Sequence, residues 1–216
     1  VSLAAGAGLL FAAMAPRLGA AGVGTRAAIF GACLAALAIL VALLGGPRKA
    51  TPLLAGVFER IAGGAGRLVM WLVLAMALVQ FGVVILRYVF GINSIFMQEG
   101  ITYMHGAVFL VAAGYALLTD DHVRVDILYR AASPKRKALV NFVGTYLFLF
   151  PVILVVLWTG SAYVGKAWSV HEGSTEQSGI QGVYLLKTLI PAFAMLLAMA
   201  GFATAARAGE TLRGER

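Results

Sequence analysis

Charged side chains are scarce in this sequence. Only 12% of its 216 residues are Asp, Glu, Lys or Arg, and 61% are hydrophobic, whereas soluble domains carry roughly 25% charged residues. Several apolar runs approach or exceed the ~20 residues that cross a bilayer as a helix, and they lack the regular alternation of membrane β-strands. The composition therefore excludes an ordinary soluble domain and indicates an integral membrane protein.

Residues that build catalytic and metal sites are also few. Cys33 is the only cysteine and lies in an apolar run, so no disulfide can form within the chain. His105, His122 and His171 lie in different segments, and no pair has the helical spacing of a haem or metal site. The sequence also has no Gly-x-Ser-x-Gly elbow and no Walker loop. We therefore expect no catalytic residue, metal site or cofactor in this chain.

The net charge of +8 could point to nucleic acid, but the Lys and Arg residues lie in short loops beside apolar runs. Membrane topology and anionic lipid explain positive loops of this kind. Because no separate basic domain exists, we expect these residues to contact the lipid bilayer and not nucleic acid.

Four long apolar runs predict a membrane core within residues 67–216. The predicted spans cover about 68–90, 99–118, 136–160 and 183–206. Ser133-Pro134, just before the third span, is the pattern of a helix N-cap followed by proline in the first turn. The predicted fold class is an all-α integral membrane protein with a four-helix core.

Residues 1–66 predict an N-terminal membrane extension of this core. Ala27–Leu44 is an uncharged run long enough to span, whereas Val1–Ala15 is short for a span, so the extension adds one or two membrane helices. A short interfacial amphipathic helix is predicted near 52–62. Its predicted end is a break at three glycines, Gly63, Gly64 and Gly66.

The counts of Lys and Arg in the loops around the four core spans alternate. There are four before the first span (Gly45–Arg67), none after it (Tyr88–Gly100), five after the second (Thr119–Lys137), one after the third (Thr159–Gly182) and three in the tail. Because positive loops stay in the cytoplasm, both ends of the core, including the C-terminus, are predicted to be cytoplasmic. The Asn93–Glu99 turn and the Trp168–Glu176 loop are predicted to face outward.

Three polar residues lie near the start of the second span. Glu99 is either a helix N-terminal carboxylate favoured by the helix dipole or a contact to a partner subunit, and both interpretations stay open. For His105 a hydrogen-bonded residue between packed helices is favoured over a ligand. Tyr103 lies between them in the sequence.

The stretch Thr119–Arg130 is the densest run of ionisable residues in the chain. Asp126 and Arg130 have the i,i+4 spacing of a helical ion pair, so one interpretation is a solvated cytoplasmic turn held by local pairs. The other interpretation is that Arg124 and Asp126 dock a neighbouring subunit.

Several short blocks resemble one known family. They are Gln98-Glu99, Tyr103, Gly114-Tyr115-Ala116-Leu117, His122-Val123-Arg124-Val125-Asp126-Ile127-Leu128-Tyr129, Ser133-Pro134-Lys135-Arg136, Trp168, Glu172, Ser174, Leu186-Lys187 and Ile190-Pro191. Together they resemble the small membrane subunit of TRAP (tripartite ATP-independent periplasmic) transporters, the DctQ type, over about residues 67–206. The His-Val-Arg-Val-Asp block is fairly specific, whereas residues 1–66 are additional to the family's usual size.

This resemblance implies a scaffold subunit of a secondary, sodium-driven importer of small organic acids in the bacterial inner membrane. Its expected partners are a large membrane subunit (DctM type), which would hold the substrate and sodium sites, and a periplasmic substrate-binding protein (DctP type). The small subunit would brace the large one and help to receive the binding protein. The subunit-interface candidates are Glu99, Tyr103, His105, His122, Arg124, Asp126, Trp168 and Glu172.

Two other classes of function stay open at this point. A membrane-anchor subunit of a redox or other multi-subunit complex is the alternative, although the paired histidines of a haem site are missing. A membrane enzyme is the third class, and its nearest polar cluster would be Glu99, Tyr103 and His105. We expect the chain not to be an enzyme.

Overall fold

The computed structural model describes residues 47–121, 129 and 132–214, with the backbone alone for 47–50. The predicted membrane helices within residues 1–46 therefore lie outside the described residues. The same is true of His122, Arg124 and Asp126.

Four long helices make up the described core, and this confirms its all-α class. Each contains a segment long and apolar enough to cross a membrane. In chain order the helices are α1 (Pro47–Val89), α2 (Ile95–Thr119), α3 (Pro134–Ser169) and α4 (Val183–Arg213).

Helix α4 is the centre of the bundle, because it packs against α1, α2 and α3. In its most apolar window 39% of the residues are buried, compared with 6% to 11% in the other three helices. Its buried residues are mostly small, among them Ala194, Ala200, Gly201 and Ala203. Small side chains let neighbouring helices approach closely, which is the usual means of helix association in lipid.

Serine caps fix where two of the helices begin. The Ser133 hydroxyl accepts a hydrogen bond from the Arg136 N–H at 3.4 Å, and Pro134 is in the first turn, which confirms the predicted cap and start of α3. The Ser94 hydroxyl accepts from the Met97 N–H in the same way. This second cap starts α2 at Ile95, earlier than the predicted 99, so Glu99 lies within the helix.

Helix α1 is continuous from Pro47 to Val89, so the prediction of a separate helix near 52–62 that ends at Gly63, Gly64 and Gly66 is wrong. A glycine in a helix interior costs only about 1 kcal/mol relative to alanine. The packing of α1 against neighbouring helices stabilises it by more than this cost. Gly66 lies directly against the Tyr115 side chain of α2, where a Cβ would collide. The glycine therefore serves helix contact and does not end the helix.

The N-terminal part of α1 also packs on the C-terminal part of α4. The Phe58 and Phe202 rings meet edge to face with centroids 5.5 Å apart. Glu59, the next residue of α1 after Phe58, forms an ion pair with Arg207 of α4 at 2.5 Å. These contacts extend both helices beyond the predicted ends, and α4 continues to Arg213 instead of ending at 206.

Helix α3 contains a π-helical turn over Thr145–Leu149. The Phe150 N–H donates to the Thr145 carbonyl, five residues back, and Pro151 follows with no N–H to donate. A proline ring in a regular helix clashes with the carbonyl four residues earlier, so the wider turn accommodates Pro151 without breaking the span. The helix then runs on to Ser169, beyond the predicted end at 160.

At Gly114 the helices α2 and α4 lie close together. A Cβ added at Gly114 would lie 3.0 Å from the Leu196 carbonyl oxygen, which is main chain and cannot rotate away. We expect Gly114→Ala to lower the free energy of unfolding by about 1–3 kcal/mol, the usual cost of overpacking. Denaturation of the purified protein in mild detergent, followed by circular dichroism, measures this.

Gly64→Ala is the matched control, because no atom of the described residues lies within 4 Å of the added carbon in α1. Alanine favours the helix over glycine there by about 1 kcal/mol, so this variant should be at least as stable as the native chain. Equal stability of the Gly114 and Gly64 variants would contradict the close contact between α2 and α4.

Candidate functional site

One end of the bundle carries most of the polar contacts between distant parts of the chain. Because consecutive helices run in opposite directions, the start of α2, the end of α3 and the start of α4 lie at this end. The segment 170–182 connects α3 to α4 there, and we call it the α3–α4 loop. Glu99, Tyr103, Trp168 and Glu172, four of the residues selected from the sequence, belong to this end.

Glu99 of α2 fixes the middle of the α3–α4 loop. The Ser174 hydroxyl donates to one carboxylate oxygen of Glu99, and the Ile180 N–H donates to the other at 2.6 Å. Gly179 lies between these two donors, and a Cβ added to it would lie 2.7 Å from the Glu99 carboxylate. Only glycine therefore lets the loop close around this carboxylate.

Glu172 and Lys187 join the start of the loop to α4. The Lys187 ammonium donates to both carboxylate oxygens of Glu172, at 2.7 and 2.5 Å, and lies 4.1 Å from the centre of the Tyr163 ring of α3. The Lys187 side chain is only 13% exposed. A cation in the first turns of a helix opposes the helix dipole, so these neighbours are what make Lys187 tolerable near the start of α4.

Trp168 connects the last turn of α3 to α4. Its indole N–H donates to the Thr188 hydroxyl at 2.8 Å, and Thr188 in turn donates to the Tyr184 carbonyl. The Tyr184 ring lies edge-on to both Trp168 and His171, with centroid distances of 4.8 and 5.7 Å. The aromatic group therefore packs the end of α3 against the start of α4.

Tyr103 and His105 differ from these paired residues. The Tyr103 hydroxyl is buried near Gly182, with no hydrogen-bond partner among the described residues. His105 is exposed on the outside of α2, where its ring lies 4.6 Å from that of Phe109. His105 is thus separate from the cluster around Glu99.

Several residues of this end were not given a role from the sequence. Lys187, Thr188, Gly179 and Ile180 all hold the loop, yet they lie 15 to 81 residues from some of their partners along the chain. No local spacing links residues so far apart. The one available signal was Lys187, a charged residue a few positions inside an otherwise apolar predicted span.

The contacts at this end of the bundle stabilise one conformation of the α3–α4 loop. The Glu99 and Glu172 carboxylates and the Trp168 indole N–H are each hydrogen-bonded to another element of the same chain. Within residues 47–121, 129 and 132–214, no three His, Cys, Asp or Glu side chains come together in a way that could hold a metal ion.

Comparison with known proteins gives two matches. The family described as tripartite ATP-independent periplasmic transporters, DctQ component, matches residues 76–211, which is more than half of the chain. The C4-dicarboxylate TRAP transporter small permease protein DctQ of Vibrio cholerae is 31% identical over 83 residues, covering 38% of this chain and 36% of that protein. The match thus spans about a third of the relative's length. No solved structure matches.

Proposed function

Because the chain belongs to the DctQ component family of TRAP transporters, we propose that it is the scaffold that braces the large membrane subunit of its transporter. It is a multi-pass membrane component of a transport system. The substrate and ion sites are assigned to the large subunit.

The contacts around the α3–α4 loop are the observation that carries this proposal. Glu99, Glu172 and Trp168 each join two elements of the chain, so the loop end of the bundle is fixed by bonds between helices and loop. A partner subunit that moves during transport needs a rigid surface to pack against. These bonds support a bracing role better than a substrate site, which would need polar groups free to bind substrate.

The loop end is assigned to the periplasmic side of the bacterial inner membrane, and the C-terminus to the cytoplasm. The distribution of Lys and Arg supports this orientation, with one such residue in Thr159–Gly182 and five in Thr119–Lys137. In this orientation the α3–α4 loop faces the side from which a periplasmic substrate-binding protein delivers its cargo. The loop is therefore also proposed to help dock that protein.

A C4-dicarboxylate is the proposed substrate class, and the sodium gradient the proposed driving force. The substrate is supported by the name of the Vibrio cholerae relative, which matches part of this chain. Sodium would bind in the large subunit. No cofactor is assigned to this chain.

Reconstitution tests this function directly. We expect the affinity-tagged chain to co-purify with the large membrane subunit of its transporter. Proteoliposomes that hold both subunits, with the binding protein outside, should accumulate labelled succinate under an inward sodium gradient. Omission of this chain should reduce uptake to the background level, because the large subunit would lose its brace.

Two controls make the result decisive. Replacing the inward sodium gradient by choline should abolish uptake if sodium drives transport, and a C-terminal reporter accessible only from the cytoplasm checks the orientation. Full uptake by the large subunit and binding protein without this chain would contradict the scaffold function. Failure of the two membrane subunits to co-purify would contradict it as well.

A further inference from the structure

The outward face of α2 carries an unusual amount of polarity for a membrane span. Toward α4, this helix presents Gly106 and Gly114, and toward α1 it presents Met97 and Tyr115. The opposite face has a separate row of residues, which we call the outer row. Its members are Gln98, Thr102, His105, Phe109, Ala112 and Ala116.

The outer row has the spacing of a helix-packing seam. Its members follow one another at alternating intervals of four and three residues, the 3.5-residue period by which one helix packs along another. Gln98, Thr102, His105 and Phe109 are exposed, and Ala112 and Ala116 are partly exposed. Two small residues four positions apart also allow another helix to approach closely.

His105 lies deep within the span. It is ten residues after Ile95, the first residue of α2, and a rise of 1.5 Å per residue places it about 15 Å along the helix. The hydrocarbon core of a bilayer is about 30 Å thick, so His105 lies within the hydrocarbon region. A polar side chain at that depth is costly against lipid and usually faces protein or a water-filled cavity.

Nothing within the described residues satisfies the His105 imidazole. It contacts the Phe109 ring, and no hydrogen bond joins it to residues 47–121, 129 or 132–214. Neither predicted N-terminal membrane helix supplies a strong partner at this depth, because the one polar side chain of Ala27–Leu44 is Cys33, a weak hydrogen-bonding group, and that of Val1–Ala15 is Ser2, at the end of the run. Burial of this row therefore requires a partner helix with a strong hydrogen-bond donor or acceptor at the depth of His105.

We propose that the outer row of α2 receives a transmembrane helix of the large transporter subunit, which hydrogen-bonds His105 within the hydrocarbon region. This inference rests on the proposed function, because the large subunit is the membrane partner of the scaffold. Phe109 and the two alanines provide the packing surface on one side of His105, and Thr102 and Gln98 provide polar contacts toward the loop end.

Site-specific photo-crosslinking tests the proposal in the assembled transporter. A benzophenone amino acid replaces Phe109 in one variant and Phe148 of α3 in its control. Both phenylalanines are 67% exposed. On irradiation of membranes that contain both subunits, the variant at 109 should form an adduct with the large subunit, and the variant at 148 should form far less.

The His105→Leu variant gives a second measurement. Hydrogen bonds between membrane helices are worth about 0.6–2 kcal/mol, so the yield of co-purified large subunit should fall about threefold to thirtyfold. Phe148→Leu, an exposed change on α3, should leave the yield unchanged. Insertion of each variant is followed by its amount in the membrane fraction.

The outcomes separate this proposal from the proposed function. If the native chain co-purifies with the large subunit but position 109 crosslinks to a second copy, to residues 27–44 or to no protein, the outer row is not the contact. Equal adduct yields at 109 and 148, or an unchanged yield for His105→Leu, would overturn it too. Failure of the native complex to form would instead reject the scaffold function itself.

Discussion

Glu99→Ala should release the α3–α4 loop from α2 and make the loop the first part of the protein to be cleaved by protease. The carboxylate accepts hydrogen bonds from the Ser174 hydroxyl and from the Ile180 N–H, and alanine leaves both donors without an acceptor. Limited proteolysis in detergent should cleave the loop on the order of tenfold faster. The site of cleavage is checked by mass spectrometry.

Transport should fall with the release of this loop, because its surface would no longer be fixed for the partner proteins. Glu99→Gln should be intermediate, since its amide oxygen can still accept one bond while its NH₂ group cannot accept from Ile180. Glu176→Ala is the matched control, because it removes an acidic residue of the same loop whose carboxylate makes no described contact. If all three variants are cleaved at the native rate, Glu99 does not hold the loop.

Glu172→Leu should destabilise the bundle more than Lys187→Met, although the two residues form one ion pair. Loss of Glu172 leaves the Lys187 ammonium, only 13% exposed, without its anion near the positive end of the α4 dipole. Loss of Lys187 leaves a carboxylate that is 39% exposed and can be hydrated. We expect Glu172→Leu to lower the free energy of unfolding by about 2 kcal/mol, since a partly buried charge loses its partner.

The double variant Glu172→Leu/Lys187→Met distinguishes this cause from lost packing. Removing both charges should recover part of the stability lost by Glu172→Leu, as is common when an ion pair is replaced by apolar residues. Lys166→Met removes an exposed lysine of α3 at the same end of the bundle, and it controls for the loss of one positive charge. Strictly additive effects in the double-mutant cycle would show that the two side chains are not coupled.

The parts of the fold that were predicted correctly depend on local patterns. Ser133-Pro134 predicted the start of α3, and the change from polar to apolar residues predicted the start of α4 at Val183. The break predicted at Gly63, Gly64 and Gly66 was wrong because the weak local cost of glycine competes with contacts to distant residues. Tyr115 packs on Gly66 from another helix, and no pattern near the glycines reveals it.

From the sequence, individual residues of the candidate site could be selected, but the contacts between them could not be predicted. Glu99, Trp168 and Glu172 were selected from the sequence as interface residues, and the structure places them at one end of the bundle with bonds to their own chain. Their role toward a partner stays a prediction. The partners Ser174 and Ile180 lie 75 and 81 residues from Glu99, so the pairing depends on how the helices pack and not on spacing.

The π-helical turn in α3 has a consequence for how the length of this chain can vary. Before the turn Ala138 is buried, Thr145 of the turn packs near Gly201 of α4, and after it Val164 and Ala167 are buried. A one-residue deletion in a regular stretch between these positions would rotate everything that follows by about 100° and expose Val164 and Ala167. A π turn contains one residue more than a regular turn, and the helical segments on both sides of it still direct the same side chains toward the bundle. Relatives that lack Pro151 can therefore be one residue shorter here, and aligned sequences should place a single-residue gap at Thr145–Leu149.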